Sequence, residues 1–277
     1  MRVLSNELIK TYRKWRTYIG FIAIAVLVPL VQFAIKWQGS GGMGGIRRSL
    51  EQDFFLVGNI FNGYFITQMI MNSLWVHVPF LISLVAGDQL AGEATGGTFR
   101  LMLIRPASRS RILLAKYVTT LFYTFTLILF LVGLSIGLGV FLFGTGDLVV
   151  PGETIVVIPQ ADVLYRFAIA LGLATWSMWC VASLAFLFSS LVENAIGPII
   201  GTMTVIILFL IISNLPVEFF ENIRPYLFTS YLDVWGKAFD EPIPWAEIGS
   251  HMLKLGGFSI GFYGVTWYIF RRKDILS

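Results

Sequence analysis

The feature that most constrains this chain is a set of four long segments without any Asp, Glu, Lys or Arg. They cover residues 57–87, 117–146, 167–192 and 194–217. A helix that crosses a bilayer needs about 20 apolar residues, so each segment is long enough to span one. The composition agrees, because 56% of the residues are hydrophobic and 13% are charged, whereas soluble domains carry about 25% charged residues.

Two shorter apolar segments, 17–35 and 255–270, complete a prediction of six spans. We therefore expect an all-α polytopic membrane protein, with residues 1–277 as a single transmembrane domain. The predicted spans are approximately 17–37, 56–87, 110–144, 164–192, 195–215 and 251–270. They are connected by a loop at 88–109 and by outer segments at 38–55, 145–163 and 216–250. The single cysteine, Cys180, lies within a span, which excludes an internal disulfide and a cysteine-based metal site.

The distribution of positive charge predicts which side each loop faces. Thirteen of the twenty Lys and Arg residues lie before span one, between spans two and three, or after span six. The same face, which also includes the turn between spans four and five, carries only five acidic residues. Because basic loops stay on the cytoplasmic side, both termini and the 88–116 segment are predicted to be cytoplasmic. The expected location is the inner membrane of a bacterial cell. Arg47 and Arg48 oppose this pattern, but Glu51 and Asp53 lie close enough in sequence to pair with them.

The segment between spans two and three is unusually charged, with four arginines in residues 96–111. Asp88 and Glu93 are expected near the C-terminus of span two, where the helix dipole disfavours anions. Arg109 and Arg111 open span three, where it disfavours cations, and each mismatch costs about 0.3–1 kcal/mol. Three explanations remain open: retention of the loop in the cytoplasm, pairing of charges across the loop, and a protein partner.

This loop is predicted to contain a short amphipathic helix. Gly97 interrupts the preceding helix and Thr98 caps the new one. Pro106 ends it, and Ser108 caps span three. The apolar side chains on one side of this helix are those of Phe99, Met102 and Leu103. Such a helix can transmit force from a docked protein, although a surface helix that contacts only lipid fits the same pattern.

An ordered set of residues in "GEATGGTFRLMLIRPASRSRILLAKY" (92–117) resembles the signature of ABC-2 type permeases, the membrane subunits of ATP-driven exporters. The residues that carry the resemblance are Glu93, Gly97, Thr98, Leu101, Leu103, Pro106, Ser108, Arg109 and Lys116. The segment 7–21 is similar to the amphipathic helix that precedes the first span in that family. "RRKDIL" at 271–276 is similar to the family's usual ending.

The resemblance implies that the 88–109 loop is a coupling helix, which docks on a separate ATPase subunit. The residues expected to couple to the ATPase are Glu93, Gly97, Thr98, Phe99, Arg100, Leu101, Met102, Arg105, Pro106, Arg109 and Glu193. A capped turn in water is an equal alternative for Glu193. Two ATPase copies, a second permease chain (identical or homologous) and re-entrant helices in 216–250 are also implied. We expect Glu93→Ala and Arg105→Ala to uncouple or dissociate the complex and leave the chain folded.

The chain carries no ATP-binding motif of its own. The pattern G-x-x-x-x-G-K-[ST] does not occur, and the Gly-rich residues 39–45 lack the lysine. ATP and Mg²⁺ are therefore expected only in the partner ATPase, with no cofactor, metal or covalent chemistry in this chain. The expected partners are the ATPase, the second permease chain and membrane lipids, with no nucleic acid. The substrate that we expect for such an exporter is an amphipathic, lipid-like or drug molecule.

Polar or small residues in spans two and five are the candidates for a translocation pathway. They are Asn62, Gln68, Asn72, His77, Thr202 and Asn214. Ionisable groups at membrane depth are often functional, but a hydrogen-bonded interior histidine is an alternative for His77. Pro79 beside it predicts a kink in span two.

Two other functions remain open. The chain could anchor an ATPase-driven mechanical or regulatory complex without transport. The second alternative is an intramembrane hydrolase with Ser135 or Ser259 as nucleophile, because residues 133–137 and 257–261 match the pattern G-x-S-x-G. That motif needs a strand-to-helix turn, whereas both stretches lie in predicted spans, where paired glycines are typical of close helix packing. Outside the spans, 147–162 predicts a small hairpin, and 216–250 predicts short helices with aromatic residues toward the outer leaflet.

Overall fold

The protein is mostly helical in the parts that the computed structural model describes, which are residues 2–42, 61–96, 108–151 and 155–272. The elements in chain order are α1 (Arg2–Arg13), α2 (Trp15–Gly42), α3 (Gly63–Leu74), α4 (Val78–Ala86), α5 (Asp88–Thr95), α6 (Arg109–Phe143), β1 (Leu148–Val150), β2 (Val156–Ile158), α7 (Gln160–Leu191), α8 (Gly197–Asn214), α9 (Glu218–Glu221) and α10 (Trp245–Arg272). Two 3-10 helices, Arg224–Tyr226 and Phe228–Phe239, lie between α9 and α10.

Four helices within these described ranges are long and apolar enough to cross a membrane, namely α2, α6, α7 and α8. The bent pair α3 and α4 makes a fifth if its halves form one span. The prediction of a helical multi-pass membrane protein is therefore confirmed. Helix α10 occupies the position of the sixth predicted span but does not meet the same criterion, and it carries Glu247, Lys254 and Arg271. The number six stays a prediction.

The kink predicted from Pro79 is confirmed. Helices α3 and α4 meet at an angle of 58° across a break of three residues, Trp75 to His77. Proline has no N–H to donate to the carbonyl four residues earlier, and its ring crowds that carbonyl, so the helix breaks just before it. Pro79 itself lies in the first turn of α4, where a missing N–H costs nothing.

Helix α7 lies at the centre of the hydrophobic core. It contacts α4, α6, α8 and α10, and it also packs against the 3-10 helix Phe228–Phe239. That 3-10 helix buries four aromatic side chains: Phe228, Tyr231, Trp235 and Phe239. The short helices predicted for 216–250 are thus present, but their largest piece packs on the protein's own core. Its position in a membrane stays a prediction.

Helices α3 and α6 approach each other at two glycines. A Cβ added to Gly63 would lie 2.3 Å from the carbonyl carbon of Gly139, so neither position tolerates a side chain. The glycine pairs of 133–137 and 257–261 have no atom within 4 Å of such a Cβ in the described chain. The close packing predicted at those pairs is therefore not made by the described part of the chain. Gly139 lies two residues beyond Gly137, which turns it by about 200° to the other side of the helix.

The hairpin predicted for 147–162 is confirmed by strands β1 and β2. They are antiparallel, with Leu148 opposite Ile158 and Val150 opposite Val156. The Asn62 side chain donates a hydrogen bond to the backbone carbonyl of Asp147 at 2.7 Å. The hairpin is thereby attached to the start of α3, at the end of the bundle where α6 finishes.

Candidate functional site

One end of the bundle brings together charges from three separate segments. The Lys116 side chain, two turns into α6, is only 1% exposed. Its Nζ donates to Glu7 Oε2 at 2.8 Å and to Glu93 Oε1 at 2.6 Å. Lys10 also pairs with Glu93. We call the following residues the ionic cluster: Glu7, Lys10, Lys14, Arg16, Asp88, Glu93 and Lys116.

Asp88 forms the second part of the ionic cluster. Its carboxylate accepts hydrogen bonds from Lys14 Nζ at 2.7 Å and from Arg16 Nη1 at 2.9 Å. Asp88 follows the last residue of α4 by two positions, as expected for a residue just after span two, and it also lies in the first turn of a separate helix, α5. The dipole penalty expected for Asp88 is therefore offset, because the N-terminus of α5 favours an anion.

Glu93 is buried inside the chain, with a side chain only 3% exposed. Burial acts to raise the pKa of Glu93, but the positive charges and hydrogen bonds of Lys116 and Lys10 together outweigh it, so the pKa lies below its ordinary value. The carboxylate is therefore charged at neutral pH. Removal of one partner from a buried ion pair typically costs about 3–5 kcal/mol. Glu93 thus holds α5 against α1 and α6, and we expect Glu93→Ala to lower the stability of the fold in addition to its effect on coupling.

Helix α5 is also attached to α7. The Ser189 hydroxyl accepts hydrogen bonds from the backbone N–H groups of Leu90 and Ala91, both at 3.0 Å, and donates to the carbonyl of Gly87. At the other end of α5, the Thr95 hydroxyl donates to the backbone carbonyl of Glu193 at 2.7 Å. The turn between α7 and α8 therefore lies directly beside α5. Glu193 and the 88–95 helix, both expected to couple to an ATPase, are neighbours.

Most residues of the expected coupling segment lie outside the described residues: Gly97, Thr98, Phe99, Arg100, Leu101, Met102, Arg105 and Pro106. The structure describes the two points between which this segment runs. Helix α5 ends at Thr95, and α6 begins after Ser108, whose hydroxyl accepts from the N–H of Arg111 as predicted for an N-cap. Arg109 is exposed in the first turn of α6. Both points are at the end of the bundle that holds the ionic cluster.

Residues near both ends of the chain lie at this same end. The indole N–H of Trp267, close to the end of α10, donates to the Ser110 hydroxyl at 3.1 Å. Glu7 in α1 reaches Lys116 in the same helix, α6. This arrangement fits the predicted placement of both termini on one side of the membrane; the compartment on that side stays a prediction.

The candidate pathway residues differ in their surroundings. Asn62, Gln68 and Thr202 are buried, whereas Asn72, His77 and Asn214 are exposed. Asn62 caps α3 by accepting from the N–H groups of Tyr64 and Phe65. Thr202 donates to the carbonyl of Pro198 at 2.6 Å within its own helix. These two bonds are structural, whereas Asn214 lines a cavity at the other end of α8.

His77 lies at the break between α3 and α4, where its Nδ1 is 3.3 Å from the carbonyl oxygen of Ser73. The proposed nucleophiles Ser135 and Ser259 both lie inside long α-helices, α6 and α10, and not at a strand-to-helix turn. The Ser259 hydroxyl donates to the carbonyl of Leu255 at 2.9 Å. Among the residues described, no group of three or more His, Cys, Asp or Glu side chains is placed to hold a metal ion.

The fold and the ionic cluster define a helical, multi-pass membrane protein in which buried ion pairs join α1, α5 and α6 at one end of the bundle. Residues 22–276 match the family described as "Protein of unknown function (DUF2705)", and the chain belongs to that family. It is also similar to a Bacillus subtilis (strain 168) protein named "Uncharacterized protein YhcI", with 32% identity over 121 residues. That match covers 40% of this chain and 37% of the relative, so the chain spans little more than a third of the relative's length.

Proposed function

We propose that this chain is the permease subunit of an ABC exporter. Together with a second permease chain, it forms a pathway for an amphipathic, lipid-like or drug substrate. Two copies of a separate ATPase hydrolyse ATP and act on it through the 88–109 loop. The sequence of residues 92–117 suggests this role, and the ionic cluster is the observation that supports it most directly.

The cluster supports the proposal because it fixes both ends of the loop to several helices at once. On one side, Glu93 joins α5 to α1 and α6, and Ser189 joins α5 to α7. On the other side, α6 itself carries Lys116. A force applied to the loop therefore acts on all of these helices together and moves them as one rigid body. Alternating access requires a rigid-body motion of this kind.

The cost of the cluster strengthens this argument. Burial of charged groups is expensive even when they are paired, and apolar residues of similar size are often at least as stabilising. A loop that only rests on lipid headgroups does not need buried ions at its base. A junction that must keep one fixed geometry under load gains from them, because the ion pairs are directional.

The proposal is tested by purification of the tagged full-length chain from native membranes and measurement of ATP hydrolysis in the material that copurifies. We expect an ATPase to copurify with the unchanged chain and with Arg13→Ala, which removes an exposed arginine of α1. Arg105→Ala removes the same charge within the loop and should reduce both copurification and ATP hydrolysis. Equal behaviour of the two variants, or the absence of any ATPase, contradicts the proposal.

The same preparation separates export from a purely mechanical or regulatory role. ATP hydrolysis by an exporter complex should rise when its substrate is added, so lipids, drugs and peptides are screened as stimulants. An assembled complex that none of them stimulates would favour the membrane-anchor alternative.

A further inference from the structure

A cavity of about 330 Å³ lies at the end of the bundle opposite the ionic cluster. Helix α8 connects the two ends: at its start Pro198 lies against Gly87, and at its finish Asn214 lines the cavity. An α-helix rises 1.5 Å per residue, so Pro198 and Asn214 lie about 24 Å apart along α8. The cavity is therefore distinct from the ionic cluster.

The walls of the cavity divide into an apolar and a polar part. The apolar part is formed at the break between α3 and α4 and along α7 and α8, by Trp75, Val76, Pro79, Met178, Ile206 and Leu210. The polar part includes three hydroxyl groups that contact one another, because Ser213 lies 3.2 Å from Thr229 and 3.0 Å from Ser230. A site with one apolar and one polar side suits a molecule that is itself amphipathic.

Two side chains of opposite charge line the polar part of the cavity, and they do not neutralise each other. Arg224 and Asp233 both face the cavity, but no ion pair joins them in the described part of the chain. The Arg224 guanidinium donates to the backbone carbonyl of Leu215, while its buried Nε finds no hydrogen-bond acceptor among the described residues. A buried donor without a partner is unfavourable, and an anion that enters the cavity would supply the acceptor.

We propose that this cavity binds the headgroup of a zwitterionic amphiphile, such as a phospholipid with one phosphate and one ammonium group. The phosphate accepts hydrogen bonds from Arg224, and the ammonium group lies against Asp233. The hydrocarbon chain follows Pro79 and Leu210 and leaves along the apolar face of α8, where Ile207 is 48% and Ile211 is 50% exposed. The cavity volume suits a single headgroup and leaves the chain outside it.

As the substrate class of the exporter, this assignment rests on the proposed function; as a binding site, it does not. Binding is therefore measured on the purified full-length chain without any ATPase. The probes are three single-chain amphiphiles with equal brominated tails: a lysophosphatidylcholine, an alkyl phosphate and an alkyl trimethylammonium salt. Bromine quenches the fluorescence of nearby tryptophan side chains. The part of the quenching that is present in the unchanged chain and absent in Trp75→Phe therefore reports binding in this cavity.

We expect the zwitterionic probe to quench Trp75 at a concentration about tenfold lower than either singly charged probe, since each charge-assisted contact contributes on that scale. Arg224→Gln should remove the advantage of the zwitterion over the cationic probe, and Asp233→Asn its advantage over the anionic probe. Arg224→Lys keeps the charge and should keep the preference. Glu218→Gln removes an exposed charge of the same segment and should change nothing.

Equal binding of the three probes, or an unchanged preference in Arg224→Gln and Asp233→Asn, overturns the proposal. The proposal is also overturned if no probe quenches Trp75, which is the result expected if a second copy of the chain fills the cavity. If the preference holds but no ATPase copurifies with the chain, the cavity assignment stands and the exporter proposal fails. If an ATPase copurifies with the chain but the preference is absent, the exporter proposal stands and the cavity assignment fails.

Discussion

The burial of Glu93 leads to a quantitative prediction about stability. Glu93→Ala leaves Lys116 in the interior with one carboxylate partner, Glu7, in place of two. Loss of one member of a buried pair costs about 3–5 kcal/mol, and the remaining Glu7 contact places the expected loss near the lower limit, at about 3 kcal/mol. At roughly 2–4 °C per kcal/mol for chains of this size, the melting temperature should fall by about 6–12 °C.

A matched variant isolates the effect of burial. Lys10→Ala breaks another contact of the same carboxylate, but the Lys10 side chain is 44% exposed. An ion pair of that exposure contributes about 0–1 kcal/mol, so the melting temperature should fall by no more than roughly 4 °C. Glu218→Ala, an exposed acid far from the cluster in sequence, should have no effect.

Cys180 provides the assay, because it is the one cysteine of the chain and is fully buried. A dye that becomes fluorescent on reaction with a thiol reports unfolding of the detergent-purified protein as it is heated. A Glu93→Ala variant that melts no lower than Lys10→Ala would refute the reasoning that the buried carboxylate holds this end of the bundle together.

Three further predictions use the same assay. Because folding lowers the pKa of Glu93, this carboxylate contributes its full stabilisation above its ordinary pKa of about 4.5, and the contribution is lost as the pH falls through the pKa of the folded state. The melting temperature should therefore fall in a step below about pH 4.5, and Glu93→Gln should lack this step. Gly63→Ala should cost about 1–3 kcal/mol or more, since its Cβ would meet backbone atoms of α6 at 2.3 Å, whereas Gly133→Ala should be neutral, and equal melting of the two would contradict this packing. Ser189→Ala should cost about 1–3 kcal/mol because two buried N–H groups of α5 lose their acceptor; an unchanged melting temperature would show that water replaces it.

The sequence by itself determined those features that depend on local chemistry. Uninterrupted apolar segments made the chain a multi-pass helical membrane protein, because charged groups cannot remain in a bilayer without compensation. Pro79 placed the kink, since a proline in the interior of a continuous helix would remove a backbone hydrogen bond and crowd the preceding turn. Ser108 capped α6, and the β-rich residues around Pro151 formed the hairpin.

The tertiary structure alone decided which distant residues meet. Glu7 and Lys116 are 109 positions apart, and the Glu93 side chain, which the sequence predicts on a docking surface, lies in the interior. Charge pairing across the loop was one expectation, but the N-terminal segment supplies most of the partners of its acidic residues. Likewise, glycine spacing does not show which face of α6 packs, and Gly139 contacts α3 where Gly137 does not. Burial and long-range ion pairs depend on how helices pack together, whereas a sequence pattern records only the surroundings along one helix.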